Sequence, residues 1–340
     1  MKSDTDASAT RPLSRRAILA AAGASGAALA LHRSAFARQA PAEAPAPAAE
    51  QGAGFYRFSV GDLGVTVIGD GDGALPAFPL FGEEAGKDAV TTALKNDFLD
   101  TETASLTFNV PLIRTSAGLI LVDTGNGVKS KPNSGRLLDR LAAAGVKPAD
   151  ITAVIISHLH GDHFGGLSTP DGALTFPNAR YYIQKSEHDF WTGPAPDLSN
   201  SRLDPEWKKG FIANAAAAAK SLAGKVELLT GKHQVAPGVT VEPAPGHTPG
   251  HQVVHLDSGG RSLLMIMDCA HHHCLSFRHP DWTVAFDTDA KLGAQMRRLM
   301  LERAAVERSL VMGYHMPFPA VGHVRRERDG FEWVPQPWKW

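Results

Sequence analysis

Short apolar runs separated by turn residues occupy most of the chain, and this pattern predicts a sheet-rich fold. The runs are bounded by Gly, Asn or Pro, which is typical of strands. Strands are predicted over residues 55–67, 106–113, 119–123, 151–157, 226–229, 239–241, 252–256 and 262–268. The densest run of strands lies in the N-terminal half of the folded region.

Three helices are predicted between these strands. The first covers residues 134–144, where Ser134 can cap the free N–H groups and Gly145 can adopt the left-handed closing conformation. The second covers 204–224, because Asp204 precedes a proline at the first helical position. The third covers about 288–309, with apolar residues at helical spacing. Strands with interspersed helices and no evident repeat predict two packed sheets covered by helices, in one domain.

The first 37 residues have the pattern of an export signal peptide. Arg15 and Arg16 precede an apolar stretch at 17–31, and Ala35 and Ala37 occupy the positions that a signal peptidase recognises. That stretch is shorter than the roughly 20 residues of a spanning helix. The pattern resembles a twin-arginine signal, so we expect the export machinery of that route as a partner, a periplasmic or secreted location, and no membrane span in the mature form. An Ala/Pro-rich linker is predicted over 38–54 and the folded domain over 55–340.

The densest group of chemically active side chains directly follows the predicted strand at 151–157. The sequence HLHGDH places four potential metal ligands within six residues: His158, His160, Asp162 and His163. At a strand end, alternate residues turn the same way, so His158 and His160 can face one ion. Gly161 then allows a bend that directs Asp162 and His163 to a second ion.

Three later residues complete two ligand sets. His247, in the rigid turn GHTPGH, is the expected third ligand of the first ion. Asp268 ends an apolar run, where a carboxylate is costly unless it is paired or bound to a cation, and it is the expected bridge. His315 also follows an apolar strand and completes the second ion with Asp162 and His163.

Net charge and cysteine content argue against a nucleic-acid-binding protein and a thiolate zinc protein. With 34 Lys and Arg against 35 Asp and Glu, the formal net charge of −1 argues against a nucleic-acid partner. Cys269 and Cys274 are the only cysteines and form no CxxC pair, so a thiolate zinc site is excluded. Any metal must therefore be held by histidine and carboxylate.

The combination of HxHxDH, GHTPGH, a strand-terminal Asp and a late His resembles the metallo-β-lactamase superfamily. Asp123-Thr124-Gly125 matches its early DTG element, whose Asp supports the metal loop. The stretches at 54–57, 176–179, 189–191, 315–319 and 322–324 are similar to the methyl parathion hydrolase branch, and GHTPGH is shared with N-acyl homoserine lactonases. Over residues 55–340 the resemblance implies an α+β fold, a four-layer αββα sandwich.

The resemblance implies a dinuclear metal-dependent hydrolase that uses a metal-bridging hydroxide to cleave a small ester-like substrate, a lactone or an organophosphate ester. Two divalent ions are expected, zinc first, with manganese, cobalt and iron as alternatives. Asp162 is the expected catalytic residue, because it can also transfer a proton. Trp191 is expected either to stack on an apolar substrate or to pack in the core. His271 is a candidate supporting or substrate-contacting group, with a polar loop residue as the alternative, and His323 is expected either to support the site or to be a core histidine.

Two departures from the family pattern bear on the substrate. The loop at 126–132, NGVKSKP, lacks the aromatic residue of the parathion-hydrolase branch, which favours a lactone. Residues 269–274 read CAHHHC where that branch is apolar. The roles of His271, His272 and His273 stay open, as do a Cys269–Cys274 disulfide and a homodimer.

Three other functions are kept as alternatives. A β-lactam hydrolase would use the same metals, and a non-catalytic metal-containing binder of small molecules would share the fold. A mononuclear iron dioxygenase would hold one ion, but Asp162, His163 and His315 provide a second ligand set and argue against it.

Overall fold

Seven strands of the N-terminal half form one mixed sheet in the computed structural model, which describes residues 52–128 and 133–339. In chain order and sheet order they are β1 (Phe55–Val60), β2 (Leu63–Pro76), β3 (Thr103–Thr115), β4 (Gly118–Val122), β5 (Ile151–Ile155), β6 (Arg180–Gln184) and β7 (Val226–Leu229). Pairing is antiparallel from β1 to β4 and parallel from β4 to β7.

The C-terminal half forms a second seven-stranded sheet. Its strands are β8 (His233–Ala236), β9 (Val239–Pro243), β10 (Gln252–Ser258), β11 (Arg261–Met265), β12 (Leu310–Met312), β13 (Val321–Glu327) and β14 (Gly330–Pro335). They also follow chain order across the sheet. All neighbours pair antiparallel except β11 and β12, which are parallel.

Helices connect and cover the two sheets. They are α1 (Lys87–Asn96), α2 (Leu137–Ala143), α3 (Gly161–Phe164), α4 (Lys185–Thr192), α5 (Pro205–Ser221), α6 (Leu275–Arg278) and α7 (Ala290–Glu307), with 3-10 turns at Glu83–Ala85, Pro148–Asp150 and Met267–Cys269. Apolar side chains of both sheets share one buried core, with helices packed outside it. The α+β, αββα sandwich is the fold that the resemblance implied.

The sequence analysis did not predict β6, β8, β13, β14, α1 or α4, and two of its local predictions differ from the structure. Residues 55–67 form two strands, β1 and the start of β2, rather than one. The helix predicted at 134–144 begins at Leu137, and Ser134 does not cap it. Instead, the Leu137 N–H donates to the buried Asp70 carboxylate at 2.8 Å. The cap therefore comes from β2, far away in sequence, although Gly145 adopts the expected left-handed φ of 79°.

Some expectations concern residues outside the described part of the chain. The export signal at 1–37 lies wholly there, as does most of the predicted linker. Among the described residues, no helix is both long and apolar enough to cross a bilayer.

Candidate metal centre

Parallel strand pairs bring candidate ligands together at strand ends. β4 and β5 are parallel neighbours in the first sheet, as are β11 and β12 in the second. Asp123 and His158 follow the carboxyl ends of the first pair, and Asp268 and His315 follow those of the second. The carboxyl ends of parallel neighbours lie at one edge of their sheet. The two edges adjoin, because His163 Nε2 lies 3.3 Å from Asp268 Oδ1.

The loop after β5 changes from extended to helical backbone within its cluster of ligands. His160 has an extended conformation, with φ −98° and ψ 149°, and Gly161 begins α3. Asp162 and His163 therefore lie on a helical turn, whereas His158 and His160 precede it. His158 and His160 thus join His247, and Asp162 and His163 join His315, while His158 also groups with His163 and Asp268 between the two.

The first ligand group consists of His158, His160 and His247. One nitrogen of each ring lies within 4.8 Å of the others, and His158 Nε2 is 3.1 Å from His247 Nε2. All three rings are buried. Ligand atoms on one tetrahedral zinc lie about 3.4 Å apart, given Zn–N bonds of about 2.0–2.1 Å. The group therefore has the dimensions of a metal site.

The second ligand group consists of Asp162, His163 and His315, and Asp268 lies between the two groups. The Nε2 atoms of His163 and His315 are each 3.4 Å from Asp162 Oδ2. Asp268 Oδ1 faces His163 Nε2, and Asp268 Oδ2 lies 3.4 Å from His247 Nε2. Asp268 Oδ2 also lies 3.1 Å from His315 Nε2, so it stands between the two groups while Oδ1 faces only the second. A carboxylate that contacts members of both groups is placed as a bridging ligand is expected to be.

Electrostatics differ between the two groups. Burial and the neighbouring imidazoles lower the pKa of His158, His160 and His247 well below the ordinary value, so these rings are neutral. Burial alone would lower the pKa of His163 too, but the carboxylates around it raise that pKa well above its ordinary value. Conversely, burial opposes ionisation of Asp268, yet His163 and His315 hold its pKa well below the usual range. The neutral imidazoles of the first group can therefore donate lone pairs to a cation directly, whereas in the second group a cation would replace the proton that the carboxylates favour on His163 and His315.

Among the described residues, three buried polar atoms at the two ligand groups have no hydrogen-bond partner, as expected of atoms that bind metal ions. His160 Nε2, His163 Nε2 and Asp268 Oδ1 are buried and make no hydrogen bond within the described part of the chain. Buried polar atoms without partners are costly. Nitrogen and carboxylate ligands without thiolate suit zinc and other divalent ions. Divalent ions at the two groups would satisfy all three atoms.

In four of the five candidate ligand histidines, the protein holds the other ring nitrogen, which fixes ring orientation. The pairs are His158 Nδ1 with Ser157 Oγ at 3.0 Å, His163 Nδ1 with Asp123 Oδ2 at 2.8 Å, His247 Nδ1 with Asp287 Oδ1 at 2.8 Å, and His315 Nδ1 with the Thr107 carbonyl at 3.0 Å. Asp123 thus occupies the supporting position expected of the DTG element. It also accepts hydrogen bonds from the Ser157 backbone N–H and hydroxyl, both at 2.7 Å.

A cavity of about 470 Å³ opens onto both ligand groups. His160, Asp162, His247, Asp268, His271 and His315 lie at one side of it. Its other walls are mostly apolar and are formed by Leu75, Leu106, Phe108, Trp207, Phe211 and Phe286. The cavity can therefore hold a small molecule with an apolar part beside the candidate metal centre.

Similarity to known proteins agrees with this geometry. Residues 109–266 match the metallo-beta-lactamase superfamily. The structure superimposes on AidC, described as a dizinc quorum-quenching lactonase in complex with the product N-hexanoyl-L-homoserine, with a TM-score of 0.81 and 31% identity. That match covers 84% of this chain and 98% of AidC. The chain belongs to the metallo-β-lactamase superfamily.

Two further relatives are consistent with membership of the metallo-β-lactamase superfamily. The hydrolase AbOPH matches with a TM-score of 0.77 and 27% identity over 85% of this chain and all of that one. An N-acyl homoserine lactonase of a Bacillus species is 30% identical over 176 residues, 46% of this chain. The chain spans 61% of the length of that lactonase.

Within this superfamily fold, Trp191 does not occupy the substrate-stacking position considered from the sequence. Its ring is 1% exposed and lies outside the cavity lining, and its Nε1–H donates to Glu187 Oε1 at 2.7 Å. The core-packing alternative is therefore correct. Instead, Trp207 and Phe211 of α5 provide aromatic side chains to the cavity wall, because α5 packs against α3 and α4.

His323 does not join the metal centre. It lies on β13, its Nδ1 pairs with the Ser309 carbonyl at 3.1 Å, and it lines a separate cleft. His271 does join the centre, with Nε2 3.3 Å from Asp268 Oδ2. Cys269 and Cys274 are both free and buried, so the disulfide left open by the sequence is not formed.

Asp287, the carboxylate that orients His247, was not predicted from the sequence. Asp287 is buried and also lies 3.4 Å from the buried Arg297 of α7. It follows the apolar residues 284–286, so the argument that identified Asp268 could also have identified it.

Proposed function

We propose that this protein is a dinuclear metal-dependent hydrolase that opens small lactones, with N-acyl homoserine lactones as the first candidates. The observation that carries the proposal is the placement of two ligand groups, joined by Asp268, at the polar side of an apolar-walled cavity. The names of the similar lactonases support the same substrate class.

In the proposed reaction, His158, His160 and His247 would hold one ion, Asp162, His163 and His315 would hold the other, and Asp268 would serve as the shared ligand. Two such ions would lower the pKa of water and polarise a carbonyl or phosphoryl oxygen. Zinc is the proposed metal, in keeping with the dizinc description of AidC.

Asp162 is the proposed proton carrier. Its side chain is 24% exposed, lines the cavity, and is ionised because His163 and His315 outweigh the effect of burial on its pKa. An ionised carboxylate in this position can accept a proton from the nucleophile and pass it to the leaving oxygen.

The apolar walls fit the hydrocarbon part of an acylated lactone. Leu75 and Leu106 face the cavity from the β2 and β3 side, and Trp207 and Phe211 face it from α5. Burial of apolar surface contributes about 25 cal/mol per Å². A longer acyl chain should therefore lower KM until the cavity is filled.

An aryl phosphotriester is the second candidate, and a specific observation favours it. The loop at 126–132 lacks an aromatic residue, but Phe108, Trp207, Phe211 and Phe286 supply aromatic rings from other elements. These rings can contact an aryl leaving group. The absence of an aromatic residue from the loop therefore does not by itself exclude this substrate.

The deciding experiment compares kcat/KM for N-hexanoyl homoserine lactone and an aryl phosphotriester, using protein whose metal content has been quantified. We expect the lactone to be preferred. Preference for the triester would overturn the lactone assignment in favour of the second candidate. Failure to hydrolyse either, with two metals bound, would contradict both and favour the non-catalytic binder.

We further propose that His271 contacts the substrate. It lines the cavity and is almost wholly buried, and within the described residues neither ring nitrogen makes a well-aligned hydrogen bond, although Nε2 lies 3.3 Å from Asp268 Oδ2. His271→Phe keeps the ring volume but removes the nitrogen donors. We expect kcat/KM to fall ~10- to 100-fold, since a hydrogen bond to a charged group contributes about 1.5–3 kcal/mol.

The matched control is His273→Phe, two positions along the same segment and outside the cavity lining. We expect it to retain kcat/KM. Both proteins should retain two metals in elemental analysis. An unchanged kcat/KM in His271→Phe would remove the residue from the reaction, and loss of one metal would make it a ligand instead.

A further inference from the structure

Glu187 makes an unusual set of contacts behind the metal centre. It lies in the first turn of α4, and its side chain is fully buried. Oε1 accepts hydrogen bonds from the Leu159 backbone N–H at 2.8 Å and from Trp191 Nε1 at 2.7 Å. Oε2 accepts one from the Gly250 backbone N–H at 2.9 Å. Both oxygens are therefore used, and two of these donors are backbone groups.

Those two backbone groups belong to the segments that carry the first ligand group. Leu159 stands between His158 and His160, and Gly250 lies in the turn that presents His247. These segments come from different sheets, one after β5 and the other between β9 and β10. One carboxylate thus ties together the two loops whose rings must meet within 4.8 Å.

The turn that carries His247 packs against the backbone of Glu187 without space for a side chain at Gly250. A Cβ added to Gly250 would lie 2.1 Å from the Glu187 nitrogen and 2.5 Å from its Cα. The turn is therefore pressed directly against the start of α4, and only glycine permits this approach. A buried carboxylate is also costly unless hydrogen bonds compensate it. The hydrogen bonds that join the His158–His160 loop to the His247 turn provide a physical reason for a buried acid at position 187.

We infer that Glu187 is a positioning residue that fixes the distance between the His158–His160 loop and the His247 turn, and so sets the affinity and geometry of the first metal position. It touches neither the substrate cavity nor the ligand atoms. The inference rests on the proposed function only in requiring that a metal binds.

The test replaces Glu187 by glutamine and measures metal binding directly. Glu187→Gln keeps the shape, but its amide nitrogen must oppose one of the backbone N–H donors. We expect the zinc affinity of the first position, measured by competition with a chromophoric chelator, to fall ~10- to 100-fold, as for other residues that orient ligands. We also expect an altered visible absorption spectrum after cobalt(II) substitution, because the ligand geometry changes.

Trp191→Phe is the matched control. It removes one donor to the same carboxylate and reduces core packing, but it leaves both backbone hydrogen bonds intact. We expect a lower Tm with wild-type zinc affinity and cobalt spectrum. A purely structural role for Glu187 would make Glu187→Gln behave in the same way and would overturn the inference.

A second variant tests the inference if the Glu187→Gln protein does not fold. Glu187→Met fills a similar volume without a buried charge, and we expect it to lower metal affinity in the same direction. Failure of both variants to fold would also overturn the inference, because the residue would then act on the fold alone. Wild-type protein that binds two metals without hydrolysing any substrate would contradict the proposed function and leave this test intact.

Discussion

Asp268→Asn is expected to abolish measurable turnover and to weaken metal binding at both positions. The Asp268 oxygens lie 3.3 Å from His163 Nε2, 3.4 Å from His247 Nε2 and 3.1 Å from His315 Nε2, so this carboxylate serves both ligand groups. Removing one partner from a buried charge pair costs about 3–5 kcal/mol. At about 1.4 kcal/mol per tenfold change, metal affinity should fall roughly 10²- to 10³-fold or more.

The measurements are metal content after dialysis, zinc affinity by chelator competition and kcat/KM on the preferred substrate. The control is Asp257→Asn, which neutralises an exposed carboxylate on β10 and should change none of them. Circular dichroism should show that both variants are folded. Two retained metals together with wild-type turnover in Asp268→Asn would contradict the assignment of Asp268 as the shared ligand.

Asp162→Asn is expected to lower kcat ~10²- to 10⁴-fold at saturating metal, the usual range for loss of a general acid or base. The asparagine oxygen can still approach the second ion, but the side chain can no longer accept and release a proton. Of the two carboxylates that line the cavity, Asp162 is the more accessible, with its side chain 24% exposed against 3% for Asp268. The chemical step should therefore suffer more than metal binding.

The dependence on the leaving group separates the two roles of Asp162. A poor leaving group, such as the alkoxide of an opened lactone, needs a proton, whereas an activated aryl oxide does not. We expect Asp162→Asn to impair lactone hydrolysis more than hydrolysis of an activated aryl ester, with two metals present in each assay. Equal losses on both substrates would show that Asp162 acts only as a ligand, and unchanged turnover would remove it from the mechanism.

Residues close together in the chain could be interpreted without a structure. HxHxDH places four ligands on one loop, and the change from extended to helical backbone at Gly161 divides them between the two groups that the spacing predicted. Asp268 and His315 could be identified because each follows an apolar strand. Periodicity and turn residues predicted two packed sheets covered by helices, and the family resemblance implied the αββα sandwich.

Contacts between distant elements could not be predicted in the same way. The cap of α2 is Asp70 of β2 rather than the adjacent Ser134, because tertiary packing supplied a buried acceptor. Trp191 is buried in the core, and Trp207 and Phe211 line the cavity. Which face of a helix meets a cavity is decided by how that helix docks, and neither composition nor periodicity contains this information.

From the sequence alone, the HxHxDH spacing and the positions that follow apolar strands predicted the candidate ligand residues and their division into two groups, and the family resemblance implied the αββα sandwich. Only the tertiary structure decided what orients and surrounds the ligands. Asp287 reaches His247 from another segment, His271 lies beside Asp268, and His323 lies apart. Such contacts form only when both sheets and their helices have packed, because the partners come from segments that the chain keeps far apart.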